Sequence, residues 1–118
     1  MPGWQLTTTE FIIDAMSRLE EAFKDLAGSV RQLIALLEEA NEPFWAKTLT
    51  RSLKLLDEQQ LRGATFVLGC FGGEETLSDF RLSASDEDLG AKNRAARLNH
   101  LRDQVFKQAD LIASRSLW

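Results

Sequence analysis

The sequence predicts an all-α protein, built as an antiparallel bundle of four to five helices with one long first helix. Apolar residues recur every three or four positions through most of the 118 residues, as they do on one face of a helix. No segment alternates β-branched apolar residues with polar ones, so we expect no sheet. The length fits one domain over residues 1–118, with residues 1–7 as an N-terminal tail.

The first helix is predicted over about residues 8–40. Thr7 and Glu10 have the spacing of a capping box at a helix start. The apolar positions that follow are Ile12, Ala15, Met16, Leu19, Ala22, Phe23, Leu26, Val30, Leu33, Ile34 and Leu37. Their spacing continues across Gly28, which favours one helix that bends there. Two helices broken at Gly28 are the alternative, because glycine costs about 1 kcal/mol relative to alanine inside a helix.

Two shorter helices follow the first. Asn41 tolerates the left-handed conformation at a helix end, and Pro43 suits the first position of the next helix. The second helix is predicted over about 43–58 and the third over about 59–71. Gly72-Gly73 ends the third helix, because glycine allows the chain to leave at positive φ.

The rest of the chain is predicted to be an irregular loop and a last helix. The loop covers about residues 72–86, and the helix covers about 87–115. The apolar positions of this helix are Ala95, Leu98, Leu101, Val105, Ala109 and Ile112. They are again three or four residues apart, so they predict one buried face.

Charge and composition limit the partners. The net charge is −4, from 14 Lys and Arg against 18 Asp and Glu, and nucleic acids and anionic membranes bind basic surfaces. No apolar run reaches the roughly 18 residues of a spanning helix, and no secretory signal is visible, so we expect a cytoplasmic protein. Cys70 is the only cysteine, lies in an apolar run and is predicted to be a buried core residue.

Residues suited to catalysis or metal binding are scarce. His100 is the only histidine, and neither an orienting partner nor a nucleophile accompanies it in the sequence. No Glu-x-x-His pair or metal-spaced cluster occurs. Gly72-Gly73 is followed by Glu74 and Glu75, which would repel a phosphate. We therefore expect no enzyme activity, no cofactor and no metal site.

Acidic residues gather in and beside the predicted loop. They are Glu74, Glu75, Asp79, Asp86, Glu87 and Asp88. One interpretation is structural, because acids near a helix N-terminus complement its dipole by about 0.3–1 kcal/mol each. The other is functional: both ends of the loop present an acidic face that orients a basic protein partner. We predict these six residues as the partner-binding site.

A leucine-rich helix at 33–40 leads to Phe-Trp-Ala at 44–46, a helix ending in Phe-Gly-Gly at 71–73, and the turn Thr-Leu-Ser-Asp-Phe at 76–80. In this order the motifs resemble a family of small, uncharacterised, all-helical bacterial proteins. In that family a tryptophan opens the second of these helices, and a Gly-Gly-x-Gly-Ser-Leu-Asn-Asp-like turn follows. The resemblance covers about residues 30–115.

The chain departs from the family's turn at three positions. Glu75 stands where the turn has its third glycine, Thr76 replaces serine and Ser78 replaces asparagine. Small acidic helical proteins of this type resemble the immunity partners that bacteria keep beside antibacterial toxins. The resemblance implies an inhibitor that occludes the active site of a toxin domain with a basic surface.

Two alternatives stay open at this point. The first is a structural or scaffolding protein that forms a homodimer through the apolar stripe at 12–37. The second is a small helical enzyme or ligand-binding domain that brings Asp79 and His100 together in one pocket.

Overall fold

The computed structural model describes the backbone of residues 3–71 and 89–114, and the side chains of residues 17–71 and 92–114. Its helices are α1 Gly3–Glu39, α2 Pro43–Asp57, α3 Leu61–Gly69 and α4 Leu89–Ala113. These ranges contain no strand, so the all-α prediction is confirmed for the described part of the chain. No helix in that part is both long and apolar enough to cross a bilayer.

α1 differs from its prediction at the start and agrees with it in the middle. It begins at Gly3, so the predicted tail of residues 1–7 is wrong from that residue onward. Thr7 and Glu10 lie inside the helix. A Thr-x-x-Glu pattern is compatible with a helix interior as well as with a helix start, so it did not mark the start of α1. The helix is continuous through Gly28, so the alternative of two broken helices is wrong.

One face of α1 forms a large share of the core. Its buried residues are Phe23, Leu26, Ala27, Val30, Leu33, Ile34, Leu36 and Leu37. α2 and α4 pack on α1, and α3 packs on α2 and α4. The four helices therefore form a closed ring in contact order. The last five predicted apolar positions of α4, from Leu98 to Ile112, are all buried, which confirms that face.

α1 ends in a Schellman motif, as the tolerance of asparagine for positive φ predicts. Asn41 has a φ of 61°. Its N–H donates to the carbonyl of Glu38 at 3.0 Å, and the N–H of Glu42 donates to the carbonyl of Leu37 at 2.8 Å. These bonds satisfy the last carbonyls of the helix and turn the chain toward α2.

α2 ends in the same motif, which the sequence did not signal. Gln59 has a φ of 55° although it is not glycine or asparagine. Its N–H donates to Leu56 at 3.0 Å, and the N–H of Gln60 donates to Leu55 at 2.9 Å. This turn separates α2 from α3 and explains why α3 begins two residues later than predicted.

α1 is longer than the helices that pack on it. At about 1.5 Å per residue, α1 is roughly 55 Å long, α4 roughly 37 Å and α2 roughly 22 Å. The Arg97 guanidinium of α4 lies 4.0 Å from the Glu39 carboxylate at the end of α1. Near the other end of α4, Leu111 shares a cavity with Ala22 of α1.

The end of α2 reaches a similar level of α1. The Arg31 guanidinium donates to the Asp57 carboxylate at 2.7 Å, and Asp57 also shares a cavity with Glu20 and Lys24. Residues 3–17 of α1 therefore extend about 22 Å beyond the ends of α2 and α4. We call this segment the overhang.

α3 begins in close contact with the end of α2. A Cβ on Gly63 would lie 2.8 Å from Leu56 Cδ2, 3.0 Å from Leu56 N and 3.1 Å from Leu55 Cβ. Two of these three contacts are with atoms that cannot swing away. Glycine at this position therefore sets how closely the two helices approach.

The substitution Gly63→Ala should destabilise the protein by about 1–3 kcal/mol, because the added methyl overpacks the contact between α2 and α3. Gly69→Ala is the matched control, since nothing lies within 4 Å of a Cβ there. Denaturant unfolding of both variants measures the difference. Equal stability of the two variants would contradict the close approach.

Cys70 is a core residue, as predicted. It is 8% exposed, and its thiol donates to the Phe66 carbonyl at 3.5 Å. Burial raises the pKa of the Cys70 thiol above its ordinary value, because the thiolate would lose its hydration. The thiol is therefore neutral in the folded protein at physiological pH.

This raised pKa predicts a loss of stability at alkaline pH. The thiol of the unfolded chain has a pKa of about 8.5, and below that pH the thiol is neutral in both states, so the stability of the fold is undiminished. Between this pKa and the higher pKa of the folded state, only the unfolded state releases the proton, so stability falls as the pH rises. Each pH unit between the two pKa values removes about 1.4 kcal/mol. The difference in unfolding free energy between the wild type and Cys70→Ala should shrink from pH 8 upward; a difference that stays constant to pH 10 would contradict it.

Candidate protein-binding surface

The acidic site predicted from the sequence lies outside the described residues. Its members are Glu74, Glu75, Asp79, Asp86, Glu87 and Asp88. Their role in partner binding therefore stays a prediction. The described helices carry a different candidate surface, which the sequence did not indicate.

His100 lies on the exposed side of α4. It lines a cavity of about 310 Å³ with Gln32 of α1 and its neighbour Arg97. Asp79, the residue that the enzyme alternative pairs with it, is not among the described residues. Within the described ranges, no group of three or more His, Cys, Asp or Glu side chains is placed to hold a metal ion.

Two aromatic rings meet where α3 ends and α4 passes it. The Phe71 and Phe106 ring centroids are 5.5 Å apart, and the ring planes are inclined by 68°. This edge-to-face geometry is the favoured one for aromatic pairs and stabilises by about 0.5–1.5 kcal/mol beyond burial. Phe106 nevertheless remains 43% exposed.

Charged side chains complete this surface. Arg102 is 8% exposed, and its guanidinium donates to Asn99 Oδ1 at 2.5 Å. The Asp103 carboxylate accepts from Lys107 Nζ at 2.9 Å. Phe71, Arg102, Asp103 and Phe106 line a cavity of about 280 Å³. We call these four residues the aromatic–arginine cleft.

Helical geometry places the cleft residues together. Arg102 and Phe106 are four residues apart, so they lie on one side of α4, next to the buried positions Leu101 and Val105. Phe71 reaches them from the turn that follows α3. The signal for the cleft in the sequence was weak. Phe71, Arg102 and Phe106 each lie one position away from a core residue, where a sequence pattern does not distinguish them from ordinary boundary residues.

The residue types of the cleft, more than its size, favour part of a protein as its ligand. Pockets for small molecules usually enclose about 300–1,000 Å³, and the cleft lies just below that range. Aromatic and arginine side chains in partly enclosed positions are the types that dominate binding energy at protein interfaces. The cleft can therefore hold one or two side chains of a protein partner between its rings.

The cleft also lies beside the acidic stretch in the chain. Phe71 is the last described residue before Gly72, and the first predicted acidic residues, Glu74 and Glu75, follow within four positions of it. An aromatic anchor and an acidic segment are thus joined by a few residues of chain.

A second cavity lies between α1 and α4, near the base of the overhang. It encloses about 210 Å³ and is lined by Arg18, Glu21, Ala22, Asp25, Gln108 and Leu111. The buried Oε1 atom of Gln108 finds no hydrogen-bond donor among the described residues. This cavity is small, and its apolar lining comes from Ala22 and Leu111.

Comparison with known proteins adds no relative. No family model, curated protein or solved structure matches this chain. The resemblance to small helical bacterial proteins therefore remains a prediction from the sequence motifs.

Proposed function

We propose that this chain is a protein-binding inhibitor, an immunity- or antitoxin-like bacterial protein of the cytoplasm. It neutralises a toxin by covering the toxin's active site and uses neither nucleic acid, membrane nor cofactor. The observation that carries the proposal is the aromatic–arginine cleft, a partly open surface of the residue types that anchor protein interfaces.

A rigid antiparallel bundle is part of the proposal. Its support is that Arg97, early in α4, lies near Glu39 at the end of α1, whereas Leu111, late in α4, lies near Ala22. A rigid body suits occlusion, because it blocks an active site without losing conformational freedom on binding.

The cleft and the acidic stretch would have different roles. Phe71 and Phe106 would accept an apolar side chain of the toxin, and this contact would slow dissociation. Glu74, Glu75, Asp79 and the acids at 86–88 would attract a basic toxin surface, which speeds association more than it strengthens the complex. The bundle would then inhibit the toxin sterically, because it would cover the toxin's catalytic groups.

Self-association through α1 is the second candidate function, and the fold limits which part of α1 a second copy could contact. The stripe at 12–37 was expected to form the dimer interface. Its part from Phe23 to Leu37 is buried inside the protein's own core. That part of the stripe is therefore closed to a second copy.

The inhibitor proposal predicts that Phe106→Ala weakens binding to the toxin encoded by the adjacent gene by about 30-fold or more. The reason is that truncating a hot-spot aromatic costs about 2 kcal/mol or more. Phe44→Ala is the matched control, because Phe44 is 68% exposed at the start of α2 and outside the cleft. Surface plasmon resonance gives both dissociation constants, and co-expression in a sensitive cell gives protection.

The same binding assay distinguishes the contribution of the acidic stretch from that of the cleft. Glu74→Lys/Glu75→Lys should slow association with little change in dissociation or melting temperature, and added salt should reduce the difference. Failure of the wild type to protect the cell would reject the inhibitor proposal. Equal binding by the Phe106 and Phe44 variants would reject the cleft as its anchor.

A further inference from the structure

The cavity beside His100 is larger than the aromatic–arginine cleft, and the inhibitor proposal does not use it. It encloses about 310 Å³ between α1 and α4 and is lined by Gln32, Ala96, Arg97, His100 and Leu101. Pockets that bind small molecules usually enclose about 300–1,000 Å³. The cavity is at the lower end of that range, so its volume suits a small molecule.

The lining of the cavity combines apolar and polar groups. Leu101 is 4% exposed, and Ala96 contributes only a methyl group. Arg97 and His100 are three residues apart, which makes them neighbours on the surface of α4. Gln32 lines the cavity from α1. A largely apolar lining with a few convergent polar groups is the usual construction of a small-molecule pocket.

The polar groups of the lining favour an anion. The Arg97 guanidinium carries a planar fork of N–H donors that matches a carboxylate or a phosphate. The His100 imidazole and the Gln32 amide each supply a further N–H donor. The described residues that line the cavity include no Asp or Glu. An oxyanion in the cavity would therefore meet hydrogen-bond donors and no opposing carboxylate.

The cavity also lies on a basic part of a chain whose net charge is −4. From residue 92 to residue 102, the sequence of α4 contains no acidic residue. The basic residues of this stretch are Lys92, Arg94, Arg97 and Arg102. A local concentration of one sign of charge attracts ligands of the opposite sign.

Arg97 already has a carboxylate nearby. Its guanidinium lies 4.0 Å from the Glu39 carboxylate, and both side chains are 57% exposed. Exposed ion pairs stabilise a protein little, because water and salt screen them. Arg97 can therefore exchange Glu39 for the anion of a ligand at little cost.

We propose that this cavity binds a small organic anion, in which a carboxylate or phosphate group is carried on a compact apolar group. The oxyanion accepts hydrogen bonds from Arg97, His100 and Gln32, and the apolar group lies against Ala96 and Leu101. The cleft lies where α4 meets the end of α3, whereas this cavity lies where α4 meets α1. The small anion and the toxin thus use different sides of α4.

The test follows the amide resonances of the isotope-labelled protein by NMR during titration with small probes. Phenyl phosphate has both parts of the proposed ligand, inorganic phosphate lacks the apolar group, and benzyl alcohol lacks the anion. Phenyl phosphate should shift the resonances of Gln32, Arg97 and His100 saturably, and the other two probes should each bind at least tenfold more weakly. Benzoate repeats the measurement with a carboxylate, and the tighter of the two aromatic anions identifies the preferred oxyanion.

Three variants show whether the cavity is responsible. Arg97→Gln should weaken phenyl phosphate binding at least tenfold, because it removes charge-assisted hydrogen bonds. Ala96→Leu should weaken it comparably without any change of charge, because the larger side chain fills the cavity. Arg51→Gln is the matched control: Arg51 is an exposed arginine of α2 outside the cavity, so the affinity should stay unchanged. Thermal unfolding checks that all three variants fold.

Several results would overturn the proposal. They are the absence of saturable binding by phenyl phosphate and benzoate, equal affinity of the Arg97 and Arg51 variants, and wild-type affinity of Ala96→Leu. Binding of benzyl alcohol or inorganic phosphate as tightly as phenyl phosphate would also overturn it, because one part of the ligand would then contribute nothing. The titration contains no toxin, so its failure is distinguishable from failure of the inhibitor proposal.

Discussion

The packing of α2 and α4 against one face of α1 is the interaction on which the rest of the structure depends. Eight side chains from Phe23 to Leu37 form that face, and seven of them are 0–2% exposed. Burying a large aliphatic or aromatic side chain contributes about 1.5–3 kcal/mol, so this face alone supplies a substantial part of the hydrophobic stabilisation. α3 packs on α2 and α4.

This arrangement determines which surfaces are open to a partner. Where α3 packs on α4, Phe106 stays partly exposed beside Phe71. At its N-terminal end, α1 continues beyond the ends of α2 and α4. The inhibitor proposal uses the surface between α3 and α4, whereas self-association, the second candidate function, would use α1.

Local patterns in the sequence predicted the helices well and gave little signal for the aromatic–arginine cleft. The spacing of Leu98, Leu101 and Val105 was enough to identify the core face of α4, because burial follows helical periodicity directly. The predicted start of α1 was wrong, since a Thr-x-x-Glu pattern fits a helix interior as well as a helix start. The cleft could not be predicted: Phe71 and Phe106 are 35 positions apart, and only the packing of α3 on α4 brings them together.

Native-state hydrogen exchange, resolved by residue, tests the central role of α1 most directly. The amides from Phe23 to Leu37 should exchange only through global unfolding, so their opening free energies should equal the free energy of unfolding measured by denaturant. They should be at least as protected as the best-protected amides of α2 and α4. Exchange of these α1 amides by local opening, at a free energy well below that of α2 and α4, would contradict the account.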